Sequence, residues 1–222
     1  EIGCGAWTLG LDWWGKKIEE DEGKRMLKKA YDLGINFFET ADMYGKGITE
    51  KLIGQVFKGM RNEVVISTKY GYDFANAEQI GHAELPQSFE PEFTRKALNA
   101  SLERLQTDYV DVYGLHNPKL NHIRDDITFN LFDKLIQEGK IKSSQGALGP
   151  AIGWTQEGLE AMERKSVTAV QTVYNILEQT PGNELIGKAE KQNVGILVRV
   201  PDASGILTGK VKAETVIPSN DH

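Results

Sequence analysis

Seven short, β-rich runs recur along the chain, with segments of helical periodicity between them. The runs are Ile2–Thr8, Ile35–Glu39, Glu63–Thr68, Tyr109–Leu115, Ile141–Ala147, Ala169–Tyr174 and Gly195–Val200. Several are almost continuously apolar, as strands are when both of their faces are buried in a parallel sheet. The segments between them place apolar residues on one helical face: Met26, Leu27, Ala30 and Tyr31; Leu52, Ile53, Val56 and Phe57; Leu98, Leu102 and Leu105; Leu131, Phe132, Leu135 and Ile136. Leu159 with Met162, and Leu185 with Ile186 and Ala189, give weaker versions. Gly34, Gly139 and Gly195 read as helix-ending glycines just before strands.

An unbroken βαβα order folds as a (β/α) barrel or as an open, doubly wound sheet. Two observations favour the barrel. The first run is not followed by a GxGxxG turn, because Gly3-Cys4-Gly5 is too short and opens no helix. The chemically useful polar residues stand at the C-terminal ends of several different strands, where barrels build their active sites. The expectation is an α/β chain, a (β/α)8 TIM barrel occupying residues 1–222 as one domain. Seven strand signals leave that barrel one β/α unit short, and Ile217–His222 reads as a loop. The last unit is therefore expected to be lacking.

Composition narrows the function. Thirty-two acidic against 26 basic residues give a net charge of -6, which offers no electrostatic footprint for nucleic acid. Cys4 is the lone cysteine and has no disulfide partner within the chain. The histidines, His82, His116, His122 and His222, are far apart and lack cysteine neighbours, so no metal spacing exists. There is no 18-residue apolar run and no signal-peptide pattern, which makes the cytoplasm the default location and a membrane partner unexpected. Oligomeric state is left open.

Three residues at strand ends carry the chemistry. Tyr44 lies in the run Glu39-Thr40-Ala41-Asp42-Met43-Tyr44-Gly45, Lys69 ends the third strand, and His116 ends the fourth. A free phenol, with a pKa near ~10, is a poor acid at neutral pH. A neighbouring ammonium favours the phenolate and eases proton donation. Lys69 is the available cation, Glu39 a carboxylate to hold it, and His116 a donor to a substrate oxygen. Taken singly, Tyr44 reads more readily as a loop aromatic and Lys69 as a surface lysine, and His116 reads equally well as a structural histidine. Gln171 is an amide inside an apolar strand and needs a partner, either a barrel-core group or a carboxamide ligand. Gly205-Ile206-Leu207-Thr208-Gly209-Lys210 is a glycine-bearing, basic loop that suits an anion or is simply a loop.

As an ordered set, Thr40-Ala41-x-x-Tyr44-Gly45, Ser67-Thr68-Lys69, Leu115-His116-Asn117-Pro118, Gly139-Lys140-Ile141-Lys142, Gln171 with Tyr174-Asn175, and Leu207-Thr208-Gly209-Lys210 resemble the aldo-keto reductase superfamily over essentially the whole chain. The resemblance implies a barrel enzyme that reduces a small aldehyde or ketone with NADP(H). Tyr44 would then be the general acid, Lys69 would lower its pKa, Glu39 would hold Lys69, and His116 would orient the carbonyl. Gln171 would bind the nicotinamide amide. Residues Ser204 to Lys210, with Gly205, Leu207, Gly209 and Lys210 among them, would cover the pyrophosphate, and Trp7 would line the substrate pocket.

The sequence departs from the family pattern in three places. Glu39 stands where the family has aspartate. Gly146-Ala147-Leu148-Gly149-Pro150 replaces the Ser-Asn pair that holds the nicotinamide amide. Arg199-Val200-Pro201 replaces a tyrosine that stacks on the nicotinamide, a role the planar guanidinium of Arg199 would assume. The segment implied for the 2′-phosphate follows an eighth strand, so NADPH over NADH rests on the resemblance. Two other readings stay open: a non-catalytic or slow NADPH-binding sensor or auxiliary subunit of the same fold, and an unrelated barrel enzyme with Lys69 as a Schiff-base nucleophile.

Overall fold

The computed structural model describes residues 1–9, 18–76, 84–150 and 153–216. The loop reading of Ile217–His222, and two of the histidines, His82 and His222, lie outside the described residues.

Seven strands form one sheet: β1 (Cys4–Gly5), β2 (Phe37–Glu39), β3 (Val65–Tyr70), β4 (Val110–His116), β5 (Ile141–Ala147), β6 (Val167–Val173) and β7 (Gly195–Arg199). Their order in the sheet is their order in the chain, and every neighbouring pair is parallel. Helices lie between the strands: α1 (Glu20–Asp32), α2 (Ile48–Val56), α3 (Pro91–Leu105), α4 (Leu120–Ile123), α5 (Asp126–Gln137), α6 (Thr155–Ala161) and α7 (Gly182–Gln192). This is the expected α/β barrel architecture with seven strands, and no pairing between β1 and β7 joins the edges among the described residues.

The strands are buried on both sides, as continuous apolar runs require. Along β3, Ile66, Ser67, Thr68, Lys69 and Tyr70 are all shielded from solvent. Outside the sheet, the helices contribute Leu27, Leu52, Ile53, Leu98, Leu102, Phe132, Leu135 and Leu185 to one continuous core. Burying such side chains contributes about 1.5–3 kcal/mol each. Tyr70 and Tyr113 stack with ring centroids 4.8 Å apart and planes 3° from parallel. Phe132 of α5 meets both edge-on.

The structure departs from the sequence expectation at three local points. The first run yields a strand of only two residues. Ala6 still donates to Glu39 O, but Leu9 then donates back to Ala6 O, so Trp7–Leu9 is a 3₁₀ turn. Gly195 does not end a helix. Asn193 takes the left-handed conformation after α7, at φ 54°, and Gly195 opens β7. Met26 and Ile186 lie at the borders of their helices' apolar faces, 45% and 39% exposed, while Leu27 and Leu185 point inward.

Because the strands are parallel and in sequential register, Glu39, His116, Gln171 and Arg199 come to one end of the sheet, close to Lys69 and the turn that follows β2. The loops leaving that end supply the rest of the site.

Candidate active site

The turn after β2 delivers Tyr44. Residues Tyr44–Gly47 form a 3₁₀ turn in which Gly45, Lys46 and Gly47 all have positive φ, at 57°, 53° and 90°. Gly47 is needed there twice over. Its φ suits glycine, and a Cβ on it would stand 2.5 Å from Cδ of Arg104. The turn folds the phenol inward, leaving Tyr44 8% exposed.

Lys69 is fully buried. Its ammonium is ion-paired with the Glu39 carboxylate, donates to Thr40 O at 3.0 Å, and sits 4.5 Å from the centroid of the Tyr44 ring. His116, 5% exposed, meets Tyr44 edge-on at 5.8 Å and Tyr72 edge-on at 5.0 Å. Its Nδ1 is buried without a hydrogen-bond partner. Trp7 lies on another side of the phenol, its ring 6.3 Å away. Glu39, Tyr44, Lys69, His116 and Trp7 therefore form one cluster at the C-terminal mouth.

Electrostatics sets the protonation of this cluster. Burial depresses the charged form of Lys69, but Glu39 and Tyr44 more than restore it, so the ammonium is held above its ordinary range. Burial pushes the Tyr44 phenol up, Lys69 pulls it down, and Glu39 pushes it up again, with a net result above the usual value. Lys69 thus acts in the anticipated direction while desolvation outweighs it. His116 is driven well below its ordinary pKa by burial and by the charges of Lys69 and Arg199, so the imidazole is neutral near pH 7. A neutral imidazole keeps one N–H donor.

Next to this cluster lie groups with unspent hydrogen-bonding capacity. Gln171 on β6 is 5% exposed, and its Oε1 has no partner. Arg199 ends β7 and donates from Nη2 to Leu148 O at 2.9 Å, while its Nε is buried and unpaired. A carboxamide N–H would satisfy the Gln171 oxygen, and the planar Arg199 guanidinium offers a face on which a flat heteroaromatic ring can stack.

The loop after β7 is less open. The N–H groups of Gly205, Ile206, Leu207 and Thr208 donate to Asp202 O, Ala203 O, Asp202 O and Gly205 O. Lys210 N donates to the Thr208 hydroxyl. These amides are spent inside the turn, and the exposed Lys210 ammonium is the charge the loop offers an anion.

Several participants were not singled out from the sequence. Asp42 is buried, its Oδ1 lacks a partner, and burial together with Glu50 raises its carboxyl well above the ordinary range. Glu50 of α2 is fully buried and accepts from Thr68 Oγ1 at 2.6 Å and from Arg104 Nε at 2.6 Å. A charged residue three positions before Ile53, on the inward face of an amphipathic helix, was the available signal. Trp154 follows β5 with φ 58° and lies against Gly149, where a Cβ would stand 2.1 Å from the indole. Nothing in the sequence announces that contact.

The aldo/keto reductase family model matches residues 1–222. The chain is 31% identical over 229 residues to the Schizosaccharomyces pombe aldo-keto reductase yakc [NADP(+)], covering 99% of this chain and 63% of that protein. It is 28% identical over 225 residues to the Escherichia coli NADH-specific methylglyoxal reductase, covering 97% of this chain and 67% of that one. Among solved structures, the holo form of the Bacillus halodurans aldo-keto reductase AKR11C1 superimposes with a TM-score of 0.80 at 28% identity, covering 99% of this chain and 66% of that chain. The chain thus spans roughly two thirds of the length of these relatives.

Proposed function

Because the chain belongs to the aldo/keto reductase family, we propose that it reduces an aldehyde or ketone to the alcohol, with Tyr44 as the general acid and a nicotinamide as hydride donor. The observation that carries this reading is the buried Glu39–Lys69 ion pair with its ammonium against the Tyr44 ring. Such an arrangement is costly for stability alone, since desolvating both charges offsets their attraction.

In this reading the substrate carbonyl lies between Tyr44 and His116. The neutral imidazole donates to the carbonyl oxygen and fixes its orientation. A reduced nicotinamide supplies the hydride to the carbonyl carbon when bound. The carbonyl π pair moves onto oxygen, and that oxygen takes the Tyr44 proton. The charge left on the phenolate is balanced by Lys69, which Glu39 and Thr40 O hold in place. Water then returns a proton to Tyr44, so one carbonyl, one hydride and one proton give one alcohol.

Gln171 and Arg199 are the residues that would hold the nicotinamide end, through the carboxamide and the ring face. Gly205, Leu207, Gly209 and Lys210 would lie along the pyrophosphate, with Lys210 supplying charge. NADP(H) is the preferred cofactor on the likeness to the fission-yeast relative. The likeness to an NADH-specific enzyme makes NADH the competing choice.

Lys69 as a Schiff-base nucleophile is disfavoured, because that chemistry needs a neutral amine and this one is held as a paired ammonium. A slow or non-catalytic cofactor-binding role has one observation behind it. The Trp154 indole fills the space beside Gly149, where a Cβ would stand 2.1 Å from it, so no side chain fits at that position after β5.

Oxidation of NADPH and of NADH, followed at 340 nm with methylglyoxal and a panel of simple aldehydes, tests the reading. Turnover with either cofactor is the expected result. Tight cofactor binding without turnover of any carbonyl would favour the slow, sensor-like role.

A further inference from the structure

Two hydroxyls that touch neither reacting group directly link the Tyr44 backbone to the residue that binds Lys69. Thr40 and Thr49 are both fully buried, and their Oγ1 atoms lie 2.7 Å apart. Thr49 Oγ1 donates to Tyr44 O at 3.3 Å. That leaves the Thr40 hydroxyl as the donor in the Thr40–Thr49 contact. Thr40 in turn offers its carbonyl to Lys69 Nζ at 3.0 Å. The path is closed: Lys69 to Thr40 through the carbonyl, Thr40 to Thr49 through the hydroxyls, and Thr49 to Tyr44 through the second carbonyl.

The turn needs such a tether. Three successive residues after Tyr44 have positive φ, and Lys46 among them is not glycine. A non-glycine residue there is strained by about 1–3 kcal/mol. The N-cap of α2 is Gly47, which has no side chain to secure the helix start. Tyr44 O also accepts Ile48 N–H, a bond within the turn itself. Thr49 therefore gives the turn its hydroxyl link back to β2.

We propose that Thr49, acting through Thr40, is a positioning residue that sets the distance and orientation of the Tyr44 phenol relative to the Lys69 ammonium. The inference rests on Tyr44 and Lys69 working together as the reading above assigns. A displacement of ~1 Å at a reacting group costs about 10²-fold in rate, and losing one link of the tether is expected to cost roughly tenfold.

The test uses the full chain with Thr49→Val, which removes the hydroxyl and keeps the shape, and Thr49→Ser, which keeps the hydroxyl. Two readouts are taken: kcat and KM for methylglyoxal, and the ¹³Cζ resonance of Tyr44, assigned by its loss in Tyr44→Phe. Thr49→Val should lower kcat about tenfold, leave KM within about twofold, and move the Tyr44 resonance; Thr49→Ser should restore both. Thr40→Val cuts the same tether from the β2 side and should reproduce the shift, including where Thr49→Val does not fold. An unmoved resonance in a folded Thr49→Val or Thr40→Val protein would overturn the inference, as would wild-type kcat. If the wild-type chain turns over no carbonyl, the reductase reading fails by itself, and the resonance still decides whether the tether positions Tyr44.

Discussion

Lys69 approaches Tyr44 from the face of the ring, its ammonium 4.5 Å from the centroid, while Glu39 on the preceding strand takes up its charge. The carboxylate keeps the lysine protonated in a fully buried place, and the lysine opposes the rise in phenol pKa that burial imposes. One methylene more than aspartate is evidently no obstacle, since Glu39 reaches the ammonium from the end of β2.

Lys69→Met should therefore push the Tyr44 phenol further above its ordinary value. In alcohol oxidation, where the phenolate is the base, the rising limb of the pH–rate profile should move to higher pH. Carbonyl reduction near pH 7 should fall by roughly 10² or more, the scale of general acid catalysis. An unchanged profile in alcohol oxidation would show that Lys69 does not tune the tyrosine.

His116 makes stability depend on pH. Its folded pKa is depressed by burial and by Lys69 and Arg199. Below the unfolded value near ~6.5, the unfolded chain takes a proton that the folded one refuses, so stability falls as pH drops. The slope from this one group is at most about 1.4 kcal/mol per pH unit, and it ends below the folded pKa. Urea titrations between pH 7 and pH 5 should show a smaller loss for His116→Gln than for the wild type.

Arg104 and Glu50 form a buried ion pair beneath the Tyr44 turn, with Thr68 as the second donor to the carboxylate. Arg104→Met leaves Glu50 buried and uncompensated, which is expected to cost about 3–5 kcal/mol. Arg104→Met combined with Glu50→Leu should regain much of that loss. Chemical denaturation of the single and double variants checks this, and a double variant no better than the single would contradict it.

The placement of these groups shows what the sequence made legible. The barrel class and the strand-end positions of Lys69 and His116 follow from apolar runs that close on polar residues, a signal contained in a few adjacent residues. The same runs could not show that β1 stops at Gly5, because Ala6, Trp7 and Leu9 are as apolar as strand residues and the turn depends on a single backbone bond. Glu50 and Arg104 lie on different helices and meet only after β3 and the helices on either side of it have docked. Thr40 and Thr49 look like ordinary polar residues until the Tyr44–Gly47 turn brings their hydroxyls together. The loop after β7 shows the converse. Its glycines suggested backbone amides free for an anion, and the turn bonds the amides of residues 205–208 to its own carbonyls.

Tyr44→Phe is the most direct test of the account, because it removes one oxygen and leaves the ring against Trp7, His116 and Lys69 in place. NADPH- or NADH-dependent reduction of methylglyoxal is measured alongside cofactor affinity by fluorescence titration. The expected result is a fall in kcat of about 10²–10⁴-fold with cofactor affinity within about twofold of wild type. Wild-type turnover by Tyr44→Phe would contradict it.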